Sequence, residues 1–305
     1  MKKKTIIIAG GSGFLGRHLE NYYSQKGYEV KVLTRSPDGA NDIYWDAKQL
    51  GPWVDVLDGA YALINMAGRS VNCRYTAANK AIILSSRLES TAVLHRAVVN
   101  CTQAPLHWLN SSTATIYEHT QGKAPANTED RGVIGSGFSV EVAKQWEAEF
   151  FKFKLEHTRQ TALRTAIVLG MEGGAFPVMV QLGRWGLCSP QGSGQQWISW
   201  IHIQDFLRAV DFILEQGIEG TINICSPKYI RNEDFNAHLQ NLLQPSFVLP
   251  QPEFLLQIGA VVMGTETELI LKSRKVFPER LLKSGFDFLF PGVKKAMIDL
   301  LRAEL

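Results

Sequence analysis

The first part of the chain alternates between short apolar runs and a segment with helical periodicity. Residues 5–9 (TIIIA) are a continuous β-branched run, as expected of a parallel strand that is covered on both faces. Apolar residues then recur at helical spacing over 15–22, up to a natural helix stop at Gly27. Residues 29–34 (EVKVLT) predict the next strand. A strand, a helix and a second strand are therefore predicted within the first 34 residues.

The same alternation continues to about residue 170. Buried strands are predicted at 61–65, 106–110 and 160–169, and helices over 84–98 and 138–156. Strands that alternate with helices form a parallel sheet through right-handed crossovers. The predicted fold class is α/β: a Rossmann-type doubly wound parallel sheet with a smaller C-terminal lobe on the substrate side.

Beyond about residue 170, the alternation of strands and helices gives way to glycine-rich loops, prolines and short elements. Residues 1–170 are predicted to form the nucleotide-binding domain, and residues 195–226, which include a helix over 205–215, to complete its sheet. Residues 171–248 are assigned to mixed substrate-side segments and residues 249–305 to a small C-terminal domain.

Composition narrows the class of protein. The chain has 305 residues and a net charge of +3 with dispersed Lys and Arg, which disfavours a nucleic-acid partner. No apolar run approaches the ~20 residues of a membrane span, so no membrane partner is expected. The cysteines are too far apart for a metal-ligand pair and are typical of reduced thiols. These features predict a cytoplasmic protein without a metal site.

A glycine motif follows the first strand and opens the first helix. Gly10 permits a tight turn, Gly13 lets the backbone approach a pyrophosphate, and Gly16 allows close helix packing. The helix N-terminus supplies free N–H groups and the positive end of a dipole. This context predicts a dinucleotide site rather than an ordinary glycine-rich turn, and its predicted lining is Gly10, Ser12, Gly13, Phe14, Leu15 and Gly16.

The end of the second strand bears on cofactor choice. NAD-specific sites usually place an acidic residue here, on the ribose 2′-hydroxyl, whereas this chain has Thr34 and Arg35. An arginine can instead form paired hydrogen bonds to a 2′-phosphate. NADP(H) is therefore predicted to be preferred over NAD(H), with an ordinary surface arginine as the alternative. The small residues after the next buried strand, Asn65, Met66, Ala67 and Gly68, are predicted to let the backbone lie against the cofactor.

Together with several longer motifs, these residues resemble the extended short-chain dehydrogenase/reductases. Within that superfamily the chain is similar to the YfcH-like nucleoside-diphosphate-sugar epimerases over essentially its whole length. The matching stretches are AGGSGFLG, INMAG, SSRLEST, LRTAIVLG, GSGQQWISWIHIQD and NICSPKYIRNEDF, with VFPERLLKSGFDFLFP matching the family's small C-terminal domain. The resemblance implies a small-molecule substrate, with a nucleotide sugar as one candidate, and a homodimer formed through the helices near 77–100 and 138–156.

The resemblance also implies a catalytic arrangement, which this chain carries incompletely. Most extended members use a hydroxyl residue and a YxxxK pair, in which the lysine lowers the pKa of the tyrosine and holds the nicotinamide ribose. Thr113 matches the hydroxyl position and Lys144 the lysine, as a catalytic and cofactor-binding residue, but the tyrosine position is Val140. YfcH-like proteins share this lack of tyrosine. The acid/base is therefore unassigned.

Two further residues have a functional and a structural interpretation. Tyr117 lies four residues beyond Thr113 and is a candidate proton donor, although packing of an amphipathic ring is the commoner role. Arg74 matches an arginine that the resemblance places near the cofactor, with a salt-bridged loop residue as the alternative. His202 and Asp205 resemble catalytic residues when read in isolation, but a structural interpretation explains them without chemistry, with Asp205 as a cap of the 205–215 helix.

Two functions remain at this point. The first is an oxidoreductase or epimerase that transfers a hydride between NADP(H) and a small substrate. The alternative is a non-catalytic NADP(H)-binding redox sensor, which the missing tyrosine supports. The fold alone does not decide between them, because function resides in the site.

Overall fold

The computed structural model describes residues 3–251 and 272–302, and its centre is a parallel sheet of seven strands. Every strand pair in this sheet is parallel, and the spatial order is β10-β6-β5-β4-β1-β2-β3. The strands are β1 (Thr5–Ala9), β2 (Glu29–Thr34), β3 (Asp42–Tyr44), β4 (Ala62–Asn65), β5 (His107–Thr113), β6 (Arg159–Thr165) and β10 (Gly220–Ile224). The predicted Rossmann-type fold class is confirmed.

Helices cover both faces of the sheet, and four shorter strands lie outside it. The helices are α1 (Phe14–Gln25), α2 (Ala77–Val99), α3 (Phe138–Phe150), α4 (Phe176–Arg184), α5 (Ile203–Gln216), α6 (Asn232–Leu243), α7 (Glu279–Lys283) and α8 (Val293–Leu301). The shorter strands are β7 (Ile167–Leu169), β8 (Trp197–Ile198), β9 (Trp200–His202) and β11 (Ile230–Arg231). Short 3-10 helices occupy Pro52–Leu57 and Ala114–Ile116.

Alternate residues of the central strands pack into two separate hydrophobic cores, one on each face of the sheet. This explains why these strands are apolar throughout. Ile6 and Ile8 of β1 pack with α1 and α5, whereas Ile7 packs with residues of α2 and α3 on the other face. All three isoleucines are fully buried. A strand that is covered on both faces has no polar side, so its sequence reads as a continuous apolar run.

Two predicted elements are shorter in the structure. The helix predicted over 138–156 ends at Phe150, and the N–H of Leu155 donates to the Gln160 side chain instead of a helical carbonyl. The strand predicted over 160–169 divides at Ala166, because β6 continues the main sheet while β7 pairs with β9. Strand pairing, which local sequence does not encode, sets this division.

Residues 195–226 were predicted to complete the sheet, and only their last strand does so. β10 pairs with β6 in parallel, while β8 and β9 belong to separate two-stranded sheets. Within residues 3–251 and 272–302, no helix is long and apolar enough to cross a membrane. Of the predicted C-terminal domain, residues 252–271 and 303–305 lie outside the described residues.

Asp205 does not cap its helix, contrary to the sequence interpretation. The cap is His202, whose Nδ1 accepts the N–H of Gln204. Asp205 lies one turn further on, fully buried, and accepts the N–H groups of Leu289 and Phe290 at 2.9 and 2.8 Å. The carboxylate therefore ties the C-terminal segment to α5, a long-range contact that no local pattern announces.

Candidate functional site

The candidate site lies where the strand order reverses, at the carboxyl ends of β1 and β4. These strands are hydrogen-bonded neighbours, but the chain leaves β1 toward β2 on one side and leaves β4 toward β5 on the other. Crossovers that depart in opposite directions leave a crevice above the strand ends, and ligands of open α/β sheets bind there.

Two glycines, one in the loop after β1 and one in the first turn of α1, permit close backbone contacts that a side chain would block. Gly10 has a φ of +71°, and a Cβ there would lie 2.6 Å from the Cα of Ala67. A Cβ at Gly16 would lie 2.3 Å from the carbonyl oxygen of Gly11. The glycines thus hold the loop against the chain after β4 and the first turn of α1 against the loop.

Gly13 differs from the other loop glycines because the space beside it is open. A Cβ there would meet no atom within 4 Å, and Ser12 and Gly13 are exposed. Gly13 is the N-cap of α1, and as a glycine it has no side chain to cap the first N–H groups of the helix. The open space, the free N–H groups and the helix dipole fit a pyrophosphate. Leu15 and Phe14, the other predicted lining residues, are half-buried.

A second glycine-rich loop, at residues 170–174 (GMEGG), packs on Phe14 and was not predicted as part of the site. A Cβ at Gly170 or Gly173 would lie 2.7 or 2.8 Å from Phe14 atoms. The loop therefore fixes the first residue of α1, next to the phosphate loop. The glycine-rich composition of this loop is evident in the sequence, but its contact with Phe14 is not.

At the end of β2 the structure separates the two predicted residues. Thr34 is buried, and its hydroxyl accepts the N–H of Ser36 at 3.3 Å, so its side chain shapes the turn instead of facing a ligand. Arg35 is exposed, and no described residue forms an ion pair or side-chain hydrogen bond with it. The nearby acids Asp38 and Asp42 are instead paired with Arg17 of α1.

The residues after β4 form a rigid wall of the crevice. Asn65 is fully buried and donates to the side-chain oxygen of Asn110 at 2.7 Å, while its own oxygen accepts the N–H of Ala67 at 3.0 Å. Its side chain therefore positions the loop and does not face a cofactor. Met66 is half-buried and its sulfur accepts the Ser111 hydroxyl, whereas Gly68 is exposed.

Thr113 is the last residue of β5 and is half-buried at the strand end. Its hydroxyl donates to the Thr115 hydroxyl at 2.9 Å and accepts the Thr115 N–H at 3.1 Å. This position, at the carboxyl edge of a central strand, is compatible with the predicted contact to a substrate oxygen.

Lys144, predicted to hold the nicotinamide ribose, is exposed on α3 and pairs with a neighbouring acid of the same helix. Its ammonium pairs with Glu141 at 3.0 Å, and half of its side chain is exposed. The residues of α3 that contact β5 and the turn after it are Ala143 and Glu147, one helical turn apart. Ser139 precedes them by the same spacing, with a buried hydroxyl. Lys144 is rotated by about 100° from Ala143, since an α-helix has about 3.6 residues per turn.

Tyr117 is also unavailable to the crevice, because it is buried below the strand ends. Its hydroxyl donates to the Asn223 oxygen at 2.8 Å and accepts from the Arg164 guanidinium at 3.0 Å. Burial raises the pKa of the Tyr117 phenol. Arg164 also pairs with Glu147, which accepts the Ser112 hydroxyl. The tyrosine belongs to a buried polar network, which is in keeping with the packing alternative.

The remaining candidates lie at the rim or behind the sheet. Arg74 is exposed on the loop before α2, where its carbonyl accepts the Asn79 side-chain N–H at 2.7 Å. His202 is fully buried, and its ring stacks on that of Phe290 with 3.9 Å between the ring centroids. Its Nε2 lies 3.4 Å from the Oδ2 of Asp299. Its surroundings support the structural interpretation. Within the described ranges, no group of three His, Cys, Asp or Glu residues is arranged to hold a metal ion.

The open space at Gly13 yields a prediction that separates binding from folding. Gly13→Val should leave the apoprotein folded, because its φ of −83° suits any residue and no atom lies within 4 Å, yet block dinucleotide binding. Gly16→Ala, the control, should lose about 1–3 kcal/mol of stability through overpacking. Thermal unfolding and NADPH titration measure the two effects. Normal NADPH affinity in Gly13→Val would contradict the assignment of the phosphate loop.

The exposed position of Lys144 yields a second prediction. Lys144→Met should change NADPH affinity by less than about twofold and stability by less than about 0.5 kcal/mol, because surface substitutions and exposed helix ion pairs have small effects. Glu141→Gln, which removes the other member of the pair, is the matched control. A tenfold loss of NADPH affinity in Lys144→Met alone would restore the ribose-binding role.

Comparison with known proteins agrees with this geometry. Residues 6–144 match the NAD dependent epimerase/dehydratase family, and residues 251–300 match a domain of unknown function, DUF1731. The epimerase family protein SDR39U1 of Bos taurus is 33% identical over 96% of this chain and 98% of its own length.

Two solved structures are similar over nearly the whole chain. The human epimerase family protein SDR39U1 (isoform 2), crystallised with NADPH, is 29% identical with a TM-score of 0.87, covering 98% of this chain and 99% of its own. The nucleoside-diphosphate sugar epimerase from Corynebacterium glutamicum is 27% identical with a TM-score of 0.78, covering 98% of this chain and 58% of its own. With its NAD(P)-binding fold and C-terminal DUF1731 domain, the chain belongs to the epimerase family of the short-chain dehydrogenase/reductases.

Proposed function

We propose that this protein binds NADP(H) in preference to NAD(H) and transfers a hydride between the cofactor and a small substrate. The observation that carries the proposal is the open space beside Gly13, at the N-terminus of α1. The human relative that was crystallised with NADPH supports the choice of cofactor. In this proposal Gly10 and Gly16 shape the loop, and the backbone at Ser12 and Gly13 contacts the pyrophosphate.

Arg35 is the residue that we assign to the 2′-phosphate. It is exposed at the end of β2, and no described carboxylate pairs with it. The acids that could repel a phosphate, Asp38 and Asp42, are held by Arg17. A guanidinium with unused donors suits the paired hydrogen bonds that a phosphate accepts.

When bound, the nicotinamide supplies or accepts the hydride. We assign to Thr113 a hydrogen bond to the substrate oxygen that becomes a hydroxyl or a carbonyl. Backbone after β4, at Met66, Ala67 and Gly68, would flank the cofactor, with Asn65 holding that backbone in place. Arg74, at the rim, would add positive charge near a phosphate of the cofactor or substrate.

A nucleotide sugar is the substrate class that we favour. The Corynebacterium glutamicum protein, named a nucleoside-diphosphate sugar epimerase, supports this choice. A cytosolic location belongs to the proposal too, and the four free cysteines are in keeping with it. Pairing of two copies through α2 and α3 is proposed by resemblance to other extended members.

A second candidate function is a non-catalytic NADP(H)-binding redox sensor. One observation favours it: the position of the usual tyrosine is the buried Val140, and Lys144 of the same helix is paired with Glu141. Hydride transfer to a carbonyl needs a proton for the new oxygen centre. In the leading proposal, substrate or solvent supplies that proton.

Arg35 should determine the cofactor preference. Arg35→Asp should weaken NADPH binding at least tenfold, because a charged hydrogen bond is lost and the new carboxylate repels the phosphate, while NADH binding changes little. Lys154→Asp is the control with the same charge change, since Lys154 is exposed in the loop before β6, at the other edge of the sheet. Equal NADPH and NADH affinities in the unmodified protein would refute the 2′-phosphate assignment.

Thr113 separates the two candidate functions. Small molecules that co-purify with the protein are identified by mass spectrometry, and those with a carbonyl or hydroxyl carbon, together with UDP-sugars, are tested for NADPH oxidation or NADP reduction. Thr113→Val should lower kcat by about a hundredfold, the cost of removing one donor from a developing oxyanion, and leave NADPH affinity unchanged. The exposed Thr102→Val is the control. NADPH binding without turnover would favour the sensor.

A further inference from the structure

Arg87 of α2 is a half-buried cation that has no carboxylate partner among the described residues. Its Nη1 donates to the carbonyl oxygens of Arg69 and Ile83 at 3.0 and 2.9 Å, and its guanidinium lies over the Trp146 ring at 5.0 Å. No ion pair links it to any residue that the structure describes. Burial lowers the pKa of Arg87 to about 10. An uncompensated buried charge is costly, and proteins usually pair such a charge or use it to bind a ligand.

The position of Arg87 places this charge at the crevice. Gly10 of the phosphate loop is in backbone contact with Ala67, and the next residue, Gly68, lies beside the guanidinium: a Cβ there would be 3.1 Å from the Cζ of Arg87. Gly68 is exposed, so this part of the crevice is open to a ligand. The cation therefore borders the site that was described above and is not part of its phosphate loop.

The donors that Arg87 leaves unused have a definite geometry. Both protein hydrogen bonds involve Nη1, while Nε and Nη2 make none with described residues. These two nitrogens form one edge of the planar guanidinium, and that edge matches two oxygens of a phosphate. Trp146 and the two carbonyls hold the plane in place, so little freedom is lost when a ligand binds.

The local charge favours an anion as well. Between Asp58 and Glu89 the sequence contains no acidic residue but includes Arg69, Arg74, Lys80 and Arg87. Lys80 lies over the Phe138 ring at 5.3 Å, so this basic segment reaches the start of α3. A segment that carries several basic residues and no acidic residue contributes net positive charge, which raises the local concentration of anionic ligands.

We propose that Arg87 binds a phosphate group of a crevice ligand through its Nε and Nη2 edge, as an anion site additional to the phosphate loop. The inference depends on the proposed function only for the location of the crevice. The phosphate belongs either to the NADP(H) pyrophosphate or to a phosphorylated substrate, and the two sources share this chemistry.

The test uses inorganic pyrophosphate as the probe and Arg87→Met as the variant, which keeps an apolar stem beneath Trp146 but removes the charge. Pyrophosphate should raise the Tm of the wild-type apoprotein, and Arg87→Met should lose most of that rise while its own apoprotein is as stable as wild type. Arg96→Met, an exposed arginine on the same helix, is the matched control and should keep the full rise.

NADPH titration identifies the source of the phosphate. If it is the cofactor's, Arg87→Met weakens NADPH binding at least tenfold and saturating NADPH abolishes the pyrophosphate effect. If it is the substrate's, NADPH affinity is unchanged and the pyrophosphate effect persists, dependent on Arg87, in the NADPH complex. Either result supports the site. An Arg87-dependent pyrophosphate effect in a protein that fails to bind NADPH would overturn the proposed function and keep the anion site.

The inference is overturned if Arg87→Met retains the full effect of pyrophosphate on Tm. If Arg87→Met does not fold, Arg87→Lys is the variant that tests the site. Arg87→Lys preserves the charge but cannot serve both carbonyls and a two-point phosphate contact. It should reduce the pyrophosphate effect by at least half. A lysine variant with an unchanged effect would show that Arg87 serves packing alone.

Discussion

Close backbone contact at the reversal of strand order is the constraint on which the rest of this structure depends. The backbone of Gly16 contacts that of Gly11, and the backbone of Gly10 contacts that of Ala67, so closely that neither glycine has room for a Cβ. These contacts bring α1, β1 and β4 together and so define the crevice. The space beside Gly13 stays open, and this is where the proposed pyrophosphate site lies.

A second, polar constraint lies beneath the strand ends. Arg164 of β6 pairs with Glu147 of α3 at 2.7 Å and donates to Tyr117, whose hydroxyl reaches Asn223 of β10. Buried charges are stable only when paired and hydrogen-bonded, so this network fixes the rotation of α3 against the sheet. That rotation turns Ala143 inward and Lys144 outward. The usual catalytic tyrosine is absent because position 140 is Val, whereas the exposure of Lys144 follows from how α3 is anchored.

The C-terminal segment depends on a comparable contact. Asp205, fully buried at the start of α5, accepts the N–H groups of Leu289 and Phe290, and His202 stacks on Phe290. A residue pair that resembles catalytic chemistry in the sequence therefore anchors one part of the chain to another. With these residues assigned to structure, the proposed function relies on backbone groups, on Thr113 and on arginines that border the crevice.

The sequence alone determined the fold class, the strands β1 and β2, the position of the glycine loop and the family, because these features rest on local periodicity and on glycines whose spacing is itself the signal. It did not determine which face of α3 meets the sheet, that Tyr117 is buried, or that Arg87 lacks a carboxylate partner among the described residues. Those properties depend on contacts between residues far apart in the chain, such as Arg164 with Glu147 and Gly68 with Arg87. Only the tertiary structure decides them, because helix rotation and burial follow from packing between elements and not from the order of residues within one.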